Sequence, residues 1–369
     1  MIGLSKTTIK ERDMPTSLHL YNKLLRQIEQ WLPQERVTRR RNLALLVCGL
    51  CLSGSVHLDR IVSYWPLPGK IASLSNRLRR FLSREGQPAT YLDPLLAEVL
   101  WSLSLHPVLL ALDITQVGRS CRALMVTVAY RGRTLPLTWQ VYEGSCGNVP
   151  VEDPIALLEQ VYAHIPFGVE VCLVGDAAFR SGDLLWWLQN RGWNYVIRQR
   201  RESFIRTESG AWQPISDLAI QPGGTLLVGP VWLFKTNPFG PTSLLLHWAT
   251  GHDQPWILVS SYADPTRILR LYRRRAWIET MFGDMKSRGF DLHATRLAHC
   301  RRIEWLLLGV SITYLWLVLL GSWVVKNGYR HEIDRKDRRD KSYFRLGWDW
   351  IVRCLRLGHP VPVHFAVTP

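Results

Sequence analysis

The run of 21 uncharged residues at 305–325, WLLLGVSITYLWLVLLGSWVV, constrains the fold more than any other feature of the sequence. A helix that long and that apolar either crosses a bilayer or lies inside a large core. Basic residues flank the run on both sides, so the flanks give no positive-inside asymmetry. We predict a buried core helix, with a membrane-spanning helix as the alternative. A chain of 369 residues that is 47% hydrophobic can build a core of this size.

A change of hydrophobic period near residue 107 predicts an α/β domain. The stretch PVLLALDITQV is a buried strand with Asp113 at its centre, and VEVCLVGDAAF is another that ends at Asp176. Two further strands meet at an Arg-Gly-Arg turn (131–133), and amphipathic helices lie between later strands. This order predicts a mixed sheet covered by helices.

The segments around this domain differ in pattern. Residues 200–255 are rich in Gly, Pro, Trp and short apolar runs, which indicates a mostly β insertion. We divide the chain into a helical region, the first part of a catalytic core, the insertion, the second part of the core and a C-terminal region, at 1–100, 101–199, 200–255, 256–330 and 331–369.

The charge balance favours a polyanionic partner. The chain has 46 Lys and Arg against 30 Asp and Glu, a formal net charge of +16, and such an excess gains by releasing counterions from nucleic-acid phosphates. A basic protein of a membrane surface fits the same number. Arginines are frequent in residues 1–100, which we interpret as a DNA-binding region; solvated helix faces are the alternative.

The cysteines and the N-terminus predict a cytoplasmic protein. Residues 1–20 are polar and charged, unlike a secretory signal, and seven cysteines are an odd set for a disulfide framework. Cys48 and Cys51 form a C-x-x-C pair inside an apolar run with no second pair at zinc spacing. We predict that both are core residues.

Three carboxylates form the candidate catalytic group. A charge at Asp113, in a strand that is apolar on both sides, is costly unless it is paired or bound to a metal. Asp176 follows a buried strand, where ligands gather in α/β sheets, and Glu279 lies on a later helix. Such a set could hold two Mg²⁺ ions for phosphodiester chemistry. A core ion pair for Asp113 and a strand-end cap for Asp176 are the alternatives.

The stretch from Thr266 to Lys286 predicts one long helix. At 100° per residue, Tyr272, Arg275, Glu279 and Lys286 share one stripe of that helix. The opposite side carries apolar residues at core spacing: Ile278, Met281, Phe282 and Met285. The stripe has the chemistry of a phosphate site, although an ordinary i, i+4 ion pair of Arg275 with Glu279 would give the same pattern.

The spacing Tyr272-x2-Arg275-x3-Glu279-x6-Lys286 resembles the Y-R-E-K signature of bacterial insertion-sequence DDE transposases of the insertion-sequence-four family. The resemblance covers most of residues 70–350. It implies a ribonuclease H-like fold with helices on both faces of the sheet, and a metal-binding triad of Asp113, Asp176 and Glu279.

The same resemblance assigns further roles. Tyr272, Arg275 and Lys286 would hold DNA phosphates, and Trp256 would stack an extruded base. Ala177-Ala178-Phe179 stands where the family often has Arg-Gly-Phe, so the resemblance does not carry an auxiliary phosphate contact to this position, while the assignment of Asp176 is unaffected.

The expected function is metal-dependent cut-and-paste transposition. The resemblance implies two Mg²⁺ ions, for which Mn²⁺ could substitute, and a homodimer that joins terminal inverted repeats to target DNA, in the bacterial cytoplasm and away from membranes. A structure-specific nuclease of the same fold, which cleaves DNA without joining it, is the alternative. A basic protein that binds DNA or membranes without catalysis is a third reading.

Overall fold

The computed structural model describes residues 16–144, 150–208 and 210–367, so the first fifteen residues of the predicted N-terminal region lie outside it. The chain divides into two compact units. The first contains residues 1–95, 117–119 and 284–369, and the second contains residues 96–116 and 120–283.

A ten-stranded mixed sheet is the centre of the second unit. Its strands are β1 (Val108–Val117), β2 (Cys121–Tyr130), β3 (Arg133–Glu143), β4 (Val171–Gly175), β5 (Asn194–Arg198), β6 (Phe204–Thr207), β7 (Gln213–Pro214), β8 (Thr225–Leu233), β9 (Phe239–His247) and β10 (Trp256–Ser260). They follow the spatial order β3-β2-β1-β4-β5-β10-β9-β8-β6-β7. β1, β4 and β5 run parallel, and β10 closes on β5 in the antiparallel sense.

The parallel strands are buried almost throughout, as expected for strands with near-continuous apolar sequences. The helices associated with this unit are α5 (Asp93–Leu103), α6 (Glu152–Tyr162), α7 (Gly182–Asn190), α8 (Pro265–Arg273) and α9 (Ala276–Met285). α6 packs against β2 and β3, α7 against β5 and β9, and α8 against β4 and β5. The predicted mixed α/β fold is confirmed, and its ribonuclease H-like character remains a prediction.

The inserted strands β6–β9 belong to the same sheet. β9 pairs with β10 over five residues, from Trp256↔His247 to Ser260↔Ser243, and β8 pairs with β9 in turn. Backbone hydrogen bonds therefore continue without a gap from β5 through β10 into the insertion.

The predicted single helix from Thr266 to Lys286 is wrong. α8 ends at Arg273 and α9 begins at Ala276. Between them, hydrogen bonds of the i→i−3 type replace the α-helical pattern, including Arg275 N–H to Tyr272 C=O (2.9 Å) and Ile278 N–H to Arg275 C=O (3.0 Å). Such bonds tighten the turn and redirect the chain, so the residues on either side do not share one continuous stripe.

The first unit is helical. Its helices are α1 (Thr16–Trp31), α2 (Val37–Ser53), α3 (Leu58–Ser63), α4 (Ile71–Leu82), α10 (Cys300–Lys326) and α11 (Tyr343–Arg356). α10 contains the uncharged run and packs against α2, α4 and α11. By length and composition it could cross a membrane, but 94% of its most apolar window is buried inside the protein. The predicted core helix is confirmed.

Two glycines bring the backbones of α10 and α11 into direct contact. A Cβ atom added to Gly321 would lie 1.8 Å from the carbonyl oxygen of Tyr343, and one added to Gly347 would lie 1.9 Å from that of Leu317. Only glycine fits at either position while the helices keep this separation.

Cys48 and Cys51 lie in the buried stretch of α2 as free thiols. Burial raises the pKa of the Cys48 thiol to about 12. Both are core residues, as predicted.

Candidate active site

Strand register brings two of the predicted carboxylates to one end of the sheet. Leu112 of β1 pairs with Gly175 of β4, and Gly175 pairs with Ile197 of β5. Asp113 and Asp176 each follow by one residue, so they stand where the parallel pairing of β1 with β4 ends. Asp176 comes directly after β4, and Asp113 lies within β1, which continues to Val117. Ligand sites of α/β sheets form at this edge.

Arg275 links Asp113 to Glu279. One terminal nitrogen of its guanidinium donates to a carboxylate oxygen of Asp113 at 3.0 Å, and the other donates to Oε1 of Glu279. The Asp113 and Arg275 side chains are 13% and 19% exposed, whereas that of Glu279 is 56% exposed. The i, i+4 ion pair of Arg275 with Glu279 therefore exists, and the same guanidinium also bonds to Asp113 in a buried strand.

The carboxyl group of Asp113 is disfavoured in its charged form. Burial raises its pKa to about 6, the Arg275 guanidinium opposes that rise, and the charges of Asp176 and Glu279 add to it. A buried carboxylate of this kind is stabilised by a cation, and its oxygens are the donors that a hard divalent ion takes.

The structure does not assemble the three carboxylates into a finished metal site. Within the described ranges, no three acidic, histidine or cysteine side chains stand close enough to hold a metal ion as they are. Coordination by Asp113, Asp176 and Glu279 remains a prediction.

Replacing Asp113 with asparagine should stabilise the metal-free protein in a pH-dependent way. The folded pKa is about 6 against an ordinary value of 3.8, so the folded state binds the proton more tightly than the unfolded chain does. The stability that the folded protein gains from binding this proton is fully present below about pH 4 and is lost as the pH rises to about 6. Above pH 6 the carboxylate costs up to about 3 kcal/mol, which asparagine avoids.

Chemical denaturation in the presence of a chelator, between pH 4.5 and 7.5, measures this effect. Asp113→Asn should exceed the parent by roughly 1–3 kcal/mol at pH 7.5 and by much less at pH 4.5. Asp253→Asn, at an exposed position, is the matched control. A constant difference across this range would contradict the assignment.

Asp176 has a capping role as well. Its Oδ1 accepts a hydrogen bond from the Ala178 N–H at 2.8 Å, at the start of a short 3-10 turn over Ala177–Phe179. This is the strand-end cap that was the alternative to a metal role. One carboxylate carries two oxygens, so the cap and a ligand role are compatible.

Tyr272 is more buried than its predicted phosphate role suggested. Its side chain is 4% exposed, and its ring meets Trp256 edge-on with centroids 5.1 Å apart. Burial raises the pKa of its phenol, and the Arg275 and Arg198 guanidinium groups oppose that rise. Trp256 is half-buried between Tyr272 and His247.

Lys286 directly follows the last residue of α9, the helix that carries Glu279. Tyr272 lies on α8 and Arg275 between the two helices, so the predicted stripe of four is divided by the α8–α9 junction. A phosphate role for Lys286 remains a prediction.

The sequence analysis missed Arg198. It follows Ile197 in β5, so it continues the row formed by Asp113 and Asp176, and it pairs across the sheet with Leu258. A basic residue ending an apolar strand was visible in WNYVIRQR, but its place beside the aspartates depends on strand register.

The arrangement combines a desolvated acidic group with cations that can approach phosphate. Comparison with known families gives a match. Residues 113–316, more than half of the chain, match the family described as the transposase DDE domain. The chain belongs to this DDE transposase family.

Two other comparisons add little. No curated protein sequence matches the chain. A solved structure described as a piggyBac transposase synaptic complex with hairpin DNA is 12% identical, covers 94% of this chain and 82% of that chain, and gives a TM-score of 0.45. A likeness this weak supports no statement about function.

Proposed function

We propose that this protein is a cut-and-paste DNA transposase of the insertion-sequence-four type that acts at terminal inverted repeats. The observation that carries the proposal is the link from Asp113 through Arg275 to Glu279, beside Asp176. The intact Y-R-E-K spacing and membership of the DDE transposase family support it.

Asp113, Asp176 and Glu279 are the residues that would hold Mg²⁺, with Mn²⁺ as a substitute. When bound, two such ions supply Lewis-acid activation of a water or hydroxyl and stabilise the leaving oxygen of a phosphodiester. Burial of Asp113 strengthens the electrostatic interactions of that carboxylate.

Arg275 has the geometry to change partners. Its planar guanidinium already makes two charge-assisted hydrogen bonds to oxygen anions, and phosphate oxygens offer the same acceptors. We assign Arg275 to the phosphate at the cut and Tyr272 to a supporting position against Trp256. Hydrolysis would release a 3′-hydroxyl at the element end, which would then attack a phosphodiester of the target and release its 3′-oxygen.

Trp256 is assigned to stack a base extruded near the cut. It is half-buried and contacts Tyr272 edge-on, so packing restricts the orientation of its ring. Trp256→Ala should slow cleavage of intact ends more than Trp256→Phe does. Equal rates for the two variants would contradict stacking.

The proposal includes a homodimer on two DNA ends, associated with DNA in the bacterial cytoplasm. Gel filtration with and without end-containing duplex and cell fractionation test these two points. A strictly monomeric complex, or recovery only with membranes, would remove them.

Cleavage of duplex DNA carrying the element's ends is the direct test of function. We expect strand cleavage with Mg²⁺ or Mn²⁺, none with excess chelator, and recovery when Mg²⁺ is restored. Joined products with a target plasmid should follow. Cleavage without joining would favour the structure-specific nuclease, and cleavage that survives chelation would contradict the metal-dependent mechanism.

A further inference from the structure

Several arginines of the predicted N-terminal DNA-binding region have structural partners instead. Arg39 pairs with Glu35 at 3.0 Å, and Arg77 donates to Asn42 at 2.9 Å. Arg84 lies over the ring of Trp305, 4.8 Å from its centroid. Their guanidinium groups are committed to holding helices together, so their number overstates the positive charge available to a ligand.

A different set of arginines lines two adjoining hollows between α4 and the start of α10. One hollow is lined in part by Arg79, Arg296 and Arg302, and the other by Arg79, Arg80 and Arg302. We call the two together the α4–α10 groove. Arg302 fixes its wall, because its Nε donates to the Ser83 hydroxyl at 2.8 Å.

The arginine side chains of this groove are not neutralised by neighbouring carboxylates in the described part of the chain. Arg79, Arg80 and Arg296 are exposed, and among the residues that the structure describes none of them lies within 4.0 Å of a carboxylate oxygen. Asp59 is the one acid among the described lining residues, and it accepts a hydrogen bond from Ser75. The rest of the second hollow is polar, with Ser73, Asn76 and Ser83.

We infer that the α4–α10 groove binds the phosphate backbone of double-stranded DNA through Arg79, Arg80 and Arg302. Guanidinium groups without a carboxylate partner, set beside the hydroxyl and amide side chains of the second hollow, match a row of phosphates. The groove therefore gives affinity and position rather than sequence choice. The inference deepens the proposed function, because it names a DNA contact apart from the carboxylates.

The alternative role of Arg79 and Arg80 is local. Both lie in the last turn of α4, where positive side chains stabilise a helix by interaction with its dipole. Lys326 and Arg356 lie in the last turns of α10 and α11, are exposed in the same way and do not line the groove. They provide a control with the same charge and the same helix position.

The test measures binding of the full-length protein to a fluorescent duplex without element ends, by anisotropy, with chelator present so that no strand is cut. Arg79→Gln/Arg80→Gln should weaken binding about tenfold or more. It should also lower the slope of log affinity against log salt by about two, because two phosphates would no longer be neutralised. Lys326→Gln/Arg356→Gln should change affinity less than about twofold, although it removes the same charge.

A second variant keeps the result independent of folding. Asn76→Glu places an acid beside Arg79, whose terminal nitrogen already donates to Asn76 at 3.3 Å, and it should weaken binding several-fold with an unchanged melting temperature. Equal weakening by the two double variants, full binding by Asn76→Glu, or binding of anionic vesicles in place of DNA would overturn the inference.

The outcome is separable from that of the proposed function. A protein that binds duplex DNA through the groove but cleaves no ends in Mg²⁺ contradicts transposition and supports the groove. If the parent protein cleaves and joins DNA ends and the groove variants bind duplex DNA as well as the parent does, the result supports transposition and contradicts the groove.

Discussion

Asp113→Ala and Glu279→Ala are each expected to reduce strand cleavage roughly a thousandfold. Each change removes one of the carboxylates expected to hold the cation, and losing several kcal/mol of transition-state stabilisation corresponds to about that factor. Initial rates of cleavage of end-containing duplex at saturating Mg²⁺ measure the effect. Asp253→Ala, at an exposed position, should cleave like the parent.

Folding and catalysis can be separated in this experiment. The pKa of Asp113 shows that its charged form is disfavoured in the folded state, so Asp113→Ala should not unfold the metal-free protein. An inactive but fully folded variant is therefore the expected result. Cleavage by either alanine variant at the parent rate would contradict the assignment of the triad.

Gly321→Ala and Gly347→Ala are each expected to destabilise the protein by about 2 kcal/mol or more. Alanine is intrinsically better than glycine in a helix by about 1 kcal/mol, so propensity alone predicts stabilisation. The added methyl group, however, would meet a carbonyl oxygen of the neighbouring helix at less than 2 Å, and overpacking of this kind costs about 1–3 kcal/mol or more. The steric effect is the larger of the two, so the net change in stability is a loss.

Thermal and chemical denaturation measure the loss, with Ser73→Ala on the exposed face of α4 as the control. The double variant should cost less than the two single variants added together, because one separation of α10 from α11 relieves both contacts. Unchanged stability in either single variant would show that the helices separate freely.

Local sequence pattern was sufficient for the strands outside the insertion and for most helices. The apolar runs around Asp113 and before Asp176 identified β1 and β4, and the Arg-Gly-Arg turn marked the β2–β3 hairpin. The uncharged run identified α10, because an apolar helix of that length lies either in a large core or across a membrane.

The errors concern features that depend on neighbours distant in sequence. Nothing in residues 271–278 breaks the helical period, since neither glycine nor proline occurs there, yet Arg275 leaves the helix and reaches Asp113. Arg198 was missed because register, not composition, aligns it with the aspartates. Gly321 and Gly347 lie where the backbones of two helices meet, a contact that no local pattern marks.

The continuous hydrogen bonding from β5 through β10 to β9 has a consequence for shortened versions of the protein. β10 is an interior strand whose flanks are both occupied, and its Ile257, Leu258 and Val259 are buried. Removing β6–β9 would leave one flank of β10 as an apolar, unpaired edge, and such edges recruit strands from other chains. The insertion thus acts as a cap against self-association, and a minimal catalytic domain would need charged residues or proline along that edge to stay dispersed.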